Sequence, residues 1–307
     1  MRGLVKICFF LVGLLLCVGS HHAVGSEIYL TSYFNGTVGK FAADGTAINT
    51  GLITGLSNPS GIKLGPDGFL YVANRGSGVV GRYSTAGSGS ATFLTGLSAP
   101  FGIAFDGLGD MYIASYQSSN SVRKYSANGT PLNMTYITGL PKAEGLAFDP
   151  AGNLYVSDFQ LGTVSKYGPT GSLINANFIT GLNGPTALAI DANYNLFVSQ
   201  YSSGSVGKYT ASTSSFNSSF ISGYTEPEGI VLNADGSLLV ASLAGGRVQK
   251  YDASGTLVNA NFITGVGSAY AMTGPALFTP AVVPEPSTIA MALAGLACGG
   301  YAMWRRR

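Results

Sequence analysis

Few side chains in this 307-residue chain can do acid–base or metal chemistry. Its only histidines, His21 and His22, and its three cysteines, Cys8, Cys17 and Cys298, all fall near the two ends. The interior therefore lacks the commonest general base, the commonest transition-metal ligand and any disulfide. Carboxylates and amines remain. Glu144 and Glu228 occupy equivalent places in the pattern described below, and with Asp158 they make a set of hard oxygen donors. Such a set suits Ca2+, which takes about six to eight oxygens, although carboxylates solvated at a polar channel mouth explain it as well. Lys63 stands where other units carry Ala104, Ala147, Ala189 and Val231. It is a candidate catalytic amine, but a lysine extending into a wet channel requires less. A second group is aromatic: Tyr33, Tyr116, Phe159 and Tyr201 recur at equivalent positions, with Arg75 among them and Asn74 just before it. Aromatic faces with a few hydrogen-bonding groups suit sugar rings, and the same rings could simply cap the structure beneath them.

What must position these residues is a repeat. A basic residue followed by an aromatic recurs as Lys40-Phe41, Arg82-Tyr83, Lys124-Tyr125, Lys166-Tyr167, Lys208-Tyr209 and Lys250-Tyr251, every 42 residues without drift. A period of that size marks supersecondary units that bury their apolar faces only by stacking on neighbours. Within one unit the runs Pro100–Asp106, Asp110–Ala114, Ser121–Tyr125 and Tyr136–Leu140 are short, rich in β-branched and aromatic residues, and separated by turn formers such as Asn128-Gly129. Four such strands make an antiparallel blade, so the spacing predicts an all-β, six-bladed β-propeller over residues 27–274. The chain enters at a second strand, and residues 270–274 are predicted to supply the missing innermost strand of the first blade, closing the ring. Alternation along the third strand places its aromatic between blades and its basic residue in water. The link into each innermost strand and the link from second to third strand are predicted to share one face. There the repeats disagree, which is where a specific site can reside.

Bulk composition narrows the function. Without the basic residues at the two ends and Glu285, 11 basic residues face 13 acidic ones, so the formal net charge of +2 belongs to the termini. No nucleic-acid surface is indicated. Residues 1–25 combine Arg2 and Lys6 with an apolar run from Ile7 to Val18 and small residues after it. That run spans about 18 Å as a helix against a hydrocarbon layer of roughly 30 Å, so a signal peptide removed by signal peptidase is expected.

After a linker at 275–283 come Pro284-Glu285-Pro286, an apolar run over 289–304 and Arg305-Arg306-Arg307. Its length reaches about 24 Å as a helix, a marginal membrane span, with the arginines on the cytoplasmic side. Pro-Glu-Pro, apolar helix and arginine cluster over 284–307 resemble the PEP-CTERM sorting signal. That resemblance implies transient membrane anchoring, cleavage by an exosortase-type protease, residence at the cell surface or outside the cell, and the exopolysaccharide or biofilm setting of such exported bacterial proteins. The run from Pro185 through Asn195-Leu-Phe-Val-Ser199 to Tyr209 resembles NHL repeats and the wider six-bladed propellers that include the SMP-30/gluconolactonase-like proteins. The latter resemblance implies a central metal held by carboxylates and amides, with lactonase-like hydrolase or lyase activity. However, that family carries Asn-Gly at the start of inner strands where this chain has Ser60-Gly61, Phe101-Gly102 and Glu144-Gly145. The leading expectation is a non-enzymatic module binding a glycan or a surface protein without a cofactor, through Tyr33, Asn74, Arg75, Tyr116, Phe159 and Tyr201. The alternative is a metal-dependent enzyme using Glu144, Glu228, Asp158 and Lys63.

Overall fold

The computed structural model describes residues 27–117, 121–233 and 235–274. The leader at 1–25, the linker at 275–283, the apolar run at 289–304 and the sorting segment at 284–307 lie outside the described residues. Among the described residues there is no helix, and hence none long and apolar enough to cross a membrane.

Each unit of 42 residues folds because its apolar residues alternate over runs of four to seven and its turns carry residues that tolerate left-handed backbone. Second strands such as Leu70–Asn74 are buried along their whole length, whereas outermost strands such as Leu173–Ile179 bury only their last residues. The described strands form six four-stranded antiparallel sheets, and in five of them sequential strands are neighbours. The sixth is composite. Ala269–Thr273 pairs antiparallel with Ile28–Ser32, with Tyr29 opposite Thr273 and Leu30 opposite Met272. Side chains lock this junction: Ser32 Oγ donates to the Val266 carbonyl at 2.6 Å, and the Phe34 N–H donates to Ser268 Oγ at 2.7 Å. The ring is thus closed by the last strand of the array joining the first three.

The apolar core lies between blades rather than at one centre. Ile28, Leu30 and Phe41 of the first blade pack on Leu239, Val248 and Ile263 of the sixth, and comparable clusters fill the other junctions. Innermost strands approach so closely that a Cβ on Gly61 would collide with the Phe101 carbonyl, and one on Gly102 with the Glu144 carbonyl. Glycine is required there by backbone proximity, since neither position has an unusual φ.

The basic ladder corrects one expectation. Its cations do not simply reach into water. Lys40 pairs with Glu27 at 2.8 Å, Arg82 with Asp67 at 2.7 Å, Lys124 with Asp110 at 2.9 Å and Lys166 with Asp149 at 3.5 Å. Each lies cross-strand from a tyrosine of the second strand, and Tyr29, Tyr71, Tyr112 and Tyr155 donate to Glu27, Asp67, Asp106 and Asp149. Alternation did put the cation on the opposite side from the interblade aromatic, but that side is covered by the turn after the innermost strand. The result is a repeated staple at the end of the ring away from the variable links.

Candidate functional site

The variable links do share one face, and six equivalent backbone bonds show why. The N–H groups of Tyr33, Arg75, Tyr116, Phe159, Tyr201 and Leu243 donate to the carbonyls of Ser268, Asn58, Ala99, Lys142, Gly184 and Glu226, at 2.9 to 3.2 Å. Each bond ties the turn after a second strand to the residue just before the innermost strand of the same blade. Asn58, Ala99 and Glu226 adopt φ of 50°, 46° and 50° to turn the chain into the proline that opens the strand. The side chains at the tied positions are consequently half-buried around the mouth of the central channel.

Four of them and two inner-strand residues form an aromatic arc, with the cation of a fifth, Arg75, set in it. Tyr33 stacks on Tyr270 with centroids 4.8 Å apart; Tyr270 lies 5.6 Å from Phe101, and Phe101 stacks on Tyr116 at 6.0 Å. Phe159 follows at 6.2 Å and Tyr201 at a further 6.0 Å. These spacings fall within the roughly 4.5–7 Å range of favourable aromatic pairs. The second blade carries the small Ser60 at the corresponding inner position, so Phe101 and Tyr270 can meet across it. Phe34, 73% exposed, adds an edge contact to Tyr33 at 5.2 Å. Arg75 lies over Tyr116 at 4.3 Å and over Phe101 at 5.7 Å. Lys142 lies over Tyr116 at 4.8 Å and over Phe159 at 5.8 Å. Leu243 interrupts the arc at the sixth blade.

Below the arc stand the two glutamates. Glu144 is 2% exposed and Glu228 6%, and both line a cavity of about 110 Å³ together with Lys63, Phe101 and Tyr270. Burial, reinforced by Glu228, holds the Glu144 carboxyl well above the usual range, against the opposing pull of Arg75 and Lys142. Burial pushes Glu228 up to about 8, with Arg75 and the Tyr270 side chain opposing. Glu144 Oε2 has no hydrogen-bond partner among the described residues. Burial works against the charged form of Arg75, yet Tyr270, Tyr33, Tyr116 and Glu144 around it hold its pKa above the ordinary value. Burial and then Glu226 push the Tyr201 phenol up to about 12.

The remaining sequence candidates are placed differently. Lys63 sits further along the same cavity, open to channel water yet surrounded by the body of the protein, and that enclosure lowers the pKa of its amine. Asp158 is buried with both oxygens engaged: Oδ2 accepts the Lys142 N–H at 3.0 Å, and Oδ1 accepts those of Gln160 at 2.9 Å and Leu161 at 2.8 Å. It braces a loop. Asn74 is buried too, its Nδ2 directed to the Val72 carbonyl at 3.4 Å and its Oδ1 without a partner among the described residues. Among the described residues, no group of three or more His, Cys, Asp or Glu is arranged to hold a metal. The donors do not fit a resident Ca2+: the third carboxylate is taken by backbone, and a guanidinium already faces the other two. Lys142 is the residue that sequence reasoning passed over. Its signal was available, for it precedes an inner strand where the other units have Asn58, Ala99, Gly184, Glu226 and Ser268.

Comparison with known proteins now bears on this site. The model of the Virginiamycin B lyase family matches residues 18–251. The chain belongs to that family. The PEP-CTERM protein-sorting motif matches residues 282–307, so this member of the Virginiamycin B lyase family is an exported propeller, processed by an exosortase and located at the cell surface or envelope. Among solved structures it is similar to a chain of the nidogen/laminin complex, at 16% identity and a TM-score of 0.71, over 82% of this chain and 98% of that one. A candidate gluconolactonase gives 15% identity and a TM-score of 0.63, over 72% and 83%. A catalytically inactive histidine-to-alanine form of virginiamycin B lyase from Staphylococcus aureus, holding quinupristin, gives 14% and 0.54, over 77% and 80%. At such identities these likenesses concern the fold. No curated protein matches the chain.

Proposed function

We propose that the protein is a non-catalytic binding module that holds a glycan against the aromatic arc at the mouth of its channel. The observation that carries this reading is the continuity of that arc: six rings spaced 4.8 to 6.2 Å apart, with a guanidinium laid over two of them. Half-buried aromatic faces next to charged and hydroxyl groups offer a sugar both an apolar platform and hydrogen bonds. Display at the cell surface puts this face where extracellular glycans are met. A cell-surface protein ligand would use the same face, and a chain of similar form takes part in the nidogen/laminin complex.

A second reading is favoured by family membership and by the Glu144–Glu228 pair, whose pKa values, raised by burial, suit general acid–base work in a lyase or hydrolase. Against it, the S. aureus lyase described as catalytically inactive carries a histidine replacement, whereas both histidines of this chain precede residue 27.

The test is glycan binding by the purified propeller before and after Tyr116→Ala and Tyr201→Ala, with calcium titration alongside. Each truncation should weaken binding severalfold or more, since it removes one apolar face of the platform. Stoichiometric calcium binding that disappears in Glu144→Gln would instead support the enzyme reading. A glycan affinity indifferent to both tyrosines would overturn the binding site described.

A further inference from the structure

The mouth of the channel is electrically lopsided. Arg75 and Lys142 converge on the ring of Tyr116, at 4.3 and 4.8 Å from its centroid, and neither makes an ion pair among the described residues. Two cations sharing one ring without a counter-anion repel each other, and a bound anion would relieve that cost. Every ladder cation of the first four blades, by contrast, has its carboxylate.

We infer that this side of the mouth receives an acidic sugar, its ring laid on the arc beside Tyr116 and its carboxylate taken by Arg75 and Lys142. The inference rests on the glycan-binding reading and names the class of glycan.

Each acidic group facing the two cations is accounted for. Asp158 is held by three backbone N–H groups and forms no ion pair with Arg75 or Lys142. Glu144 and Glu228 form no ion pair with either cation, and burial raises both carboxyls, Glu228 to about 8, which weakens their compensation of Arg75. Glu226 stands on the opposite side, beside Tyr201, where it can accept hydrogen bonds from sugar hydroxyls. Glu144, with an oxygen lacking a partner and lining the cavity, can itself serve a ligand hydroxyl. A polyphosphate or nucleic acid is the poorer match, because the body of the protein carries 11 basic against 13 acidic residues and offers only a local pair of cations. Ionisation of the glutamate pair should also gate the site. As pH rises through about 8, negative charge appears beside Arg75 and repels the ligand carboxylate.

Oligogalacturonate and its methyl ester share a backbone and differ in charge, so they separate this inference from the reading beneath it. Titration calorimetry should show the acid bound about tenfold or more tightly than the ester. Added salt should weaken the acid and leave the ester little changed, since the contact is ionic and near the surface. The preference should disappear in Arg75→Gln and in Lys142→Gln, and between pH 6 and pH 9 it should fall in the wild type but persist when Glu144 and Glu228 are both replaced by glutamine. Thermal unfolding checks that each variant is folded; the salt dependence of the wild type needs no variant. Equal affinity for acid and ester would overturn the acidic-sugar inference and leave glycan binding standing. Binding of neither would overturn both. A preference that survives Lys142→Gln and Arg75→Gln would show that the anion sits elsewhere.

Discussion

Glu228 concentrates the physical tension of this molecule. A carboxyl whose folded pKa of about 8 lies above its unfolded value binds more protons in the native state. Its contribution to stability is therefore fully present below the unfolded pKa, and it is lost as pH rises toward and through about 8. Glu228→Gln removes that dependence while keeping the shape of the side chain. Thermal melts should show the variant equal to the wild type near pH 4 and more stable near pH 9. A variant less stable than the wild type at pH 9 would mean that the ionised carboxylate is needed, by a cation or by Arg75. That two glutamates stand apart was legible in the sequence, because they break a count of 42. That both carboxyls are raised above their ordinary range was not, since this depends on how deeply the inner strands bury them and on their closeness to each other and to Arg75. Asp158 taught the converse. Its type and place suggested a ligand, but only the loop geometry reveals the three backbone donors that occupy it.

Among the elements, the innermost strands set the geometry of the channel. Gly61, Gly102, Gly145 and Gly229 each bring a strand against the backbone of the next blade, and at Gly102 an added Cβ would collide with the Glu144 carbonyl. Gly102→Ala must push the third and fourth blades apart just where Glu144 is held. It should cost about 1–3 kcal/mol, the usual cost of overpacking, and weaken glycan binding as well. Gly51→Ala is the control, for its Cβ would meet only Thr54 Cγ2 at 3.7 Å on an exposed outer strand. Its melting temperature should change little. Equal effects at the two glycines would refute the close-approach account. Strand order, blade number and the face holding the variable links followed from periodicity, since a repeat that must stack leaves few arrangements. The aromatic arc did not follow in full: Phe101 and Tyr270 come from innermost strands and Tyr116 and Phe159 from the turns after second strands, and only the ring brings them together.

At the scale of the whole molecule, the strand that closes the ring and the signal that sorts the protein are neighbours in sequence. Ala269–Thr273 completes the first blade, and the sorting motif begins at residue 282. Processing within that motif must therefore leave the closing strand in place, or the first blade loses its inner strand and Tyr270 with it. The Tyr33–Tyr270 stack, the Ser32–Val266 bond and the packing of Leu30 against the sixth blade all depend on that strand or its junction. Two truncations separate the functions of the two segments. A protein ending at Gly274 should unfold at the temperature of the full-length chain and bind glycan alike, but in the producing cell it should no longer be processed and displayed through the sorting route. A protein ending at Gly267 should lose at least ten degrees of thermal stability and its binding, because an open ring exposes the edge of Ile28–Ser32 and the apolar face between the first and sixth blades. Differential scanning calorimetry of the two proteins, with cell fractionation of the first, checks both halves. Equal melting temperatures for the two would overturn closure by the last strand, and normal surface display of the first would place the sorting information upstream of residue 275.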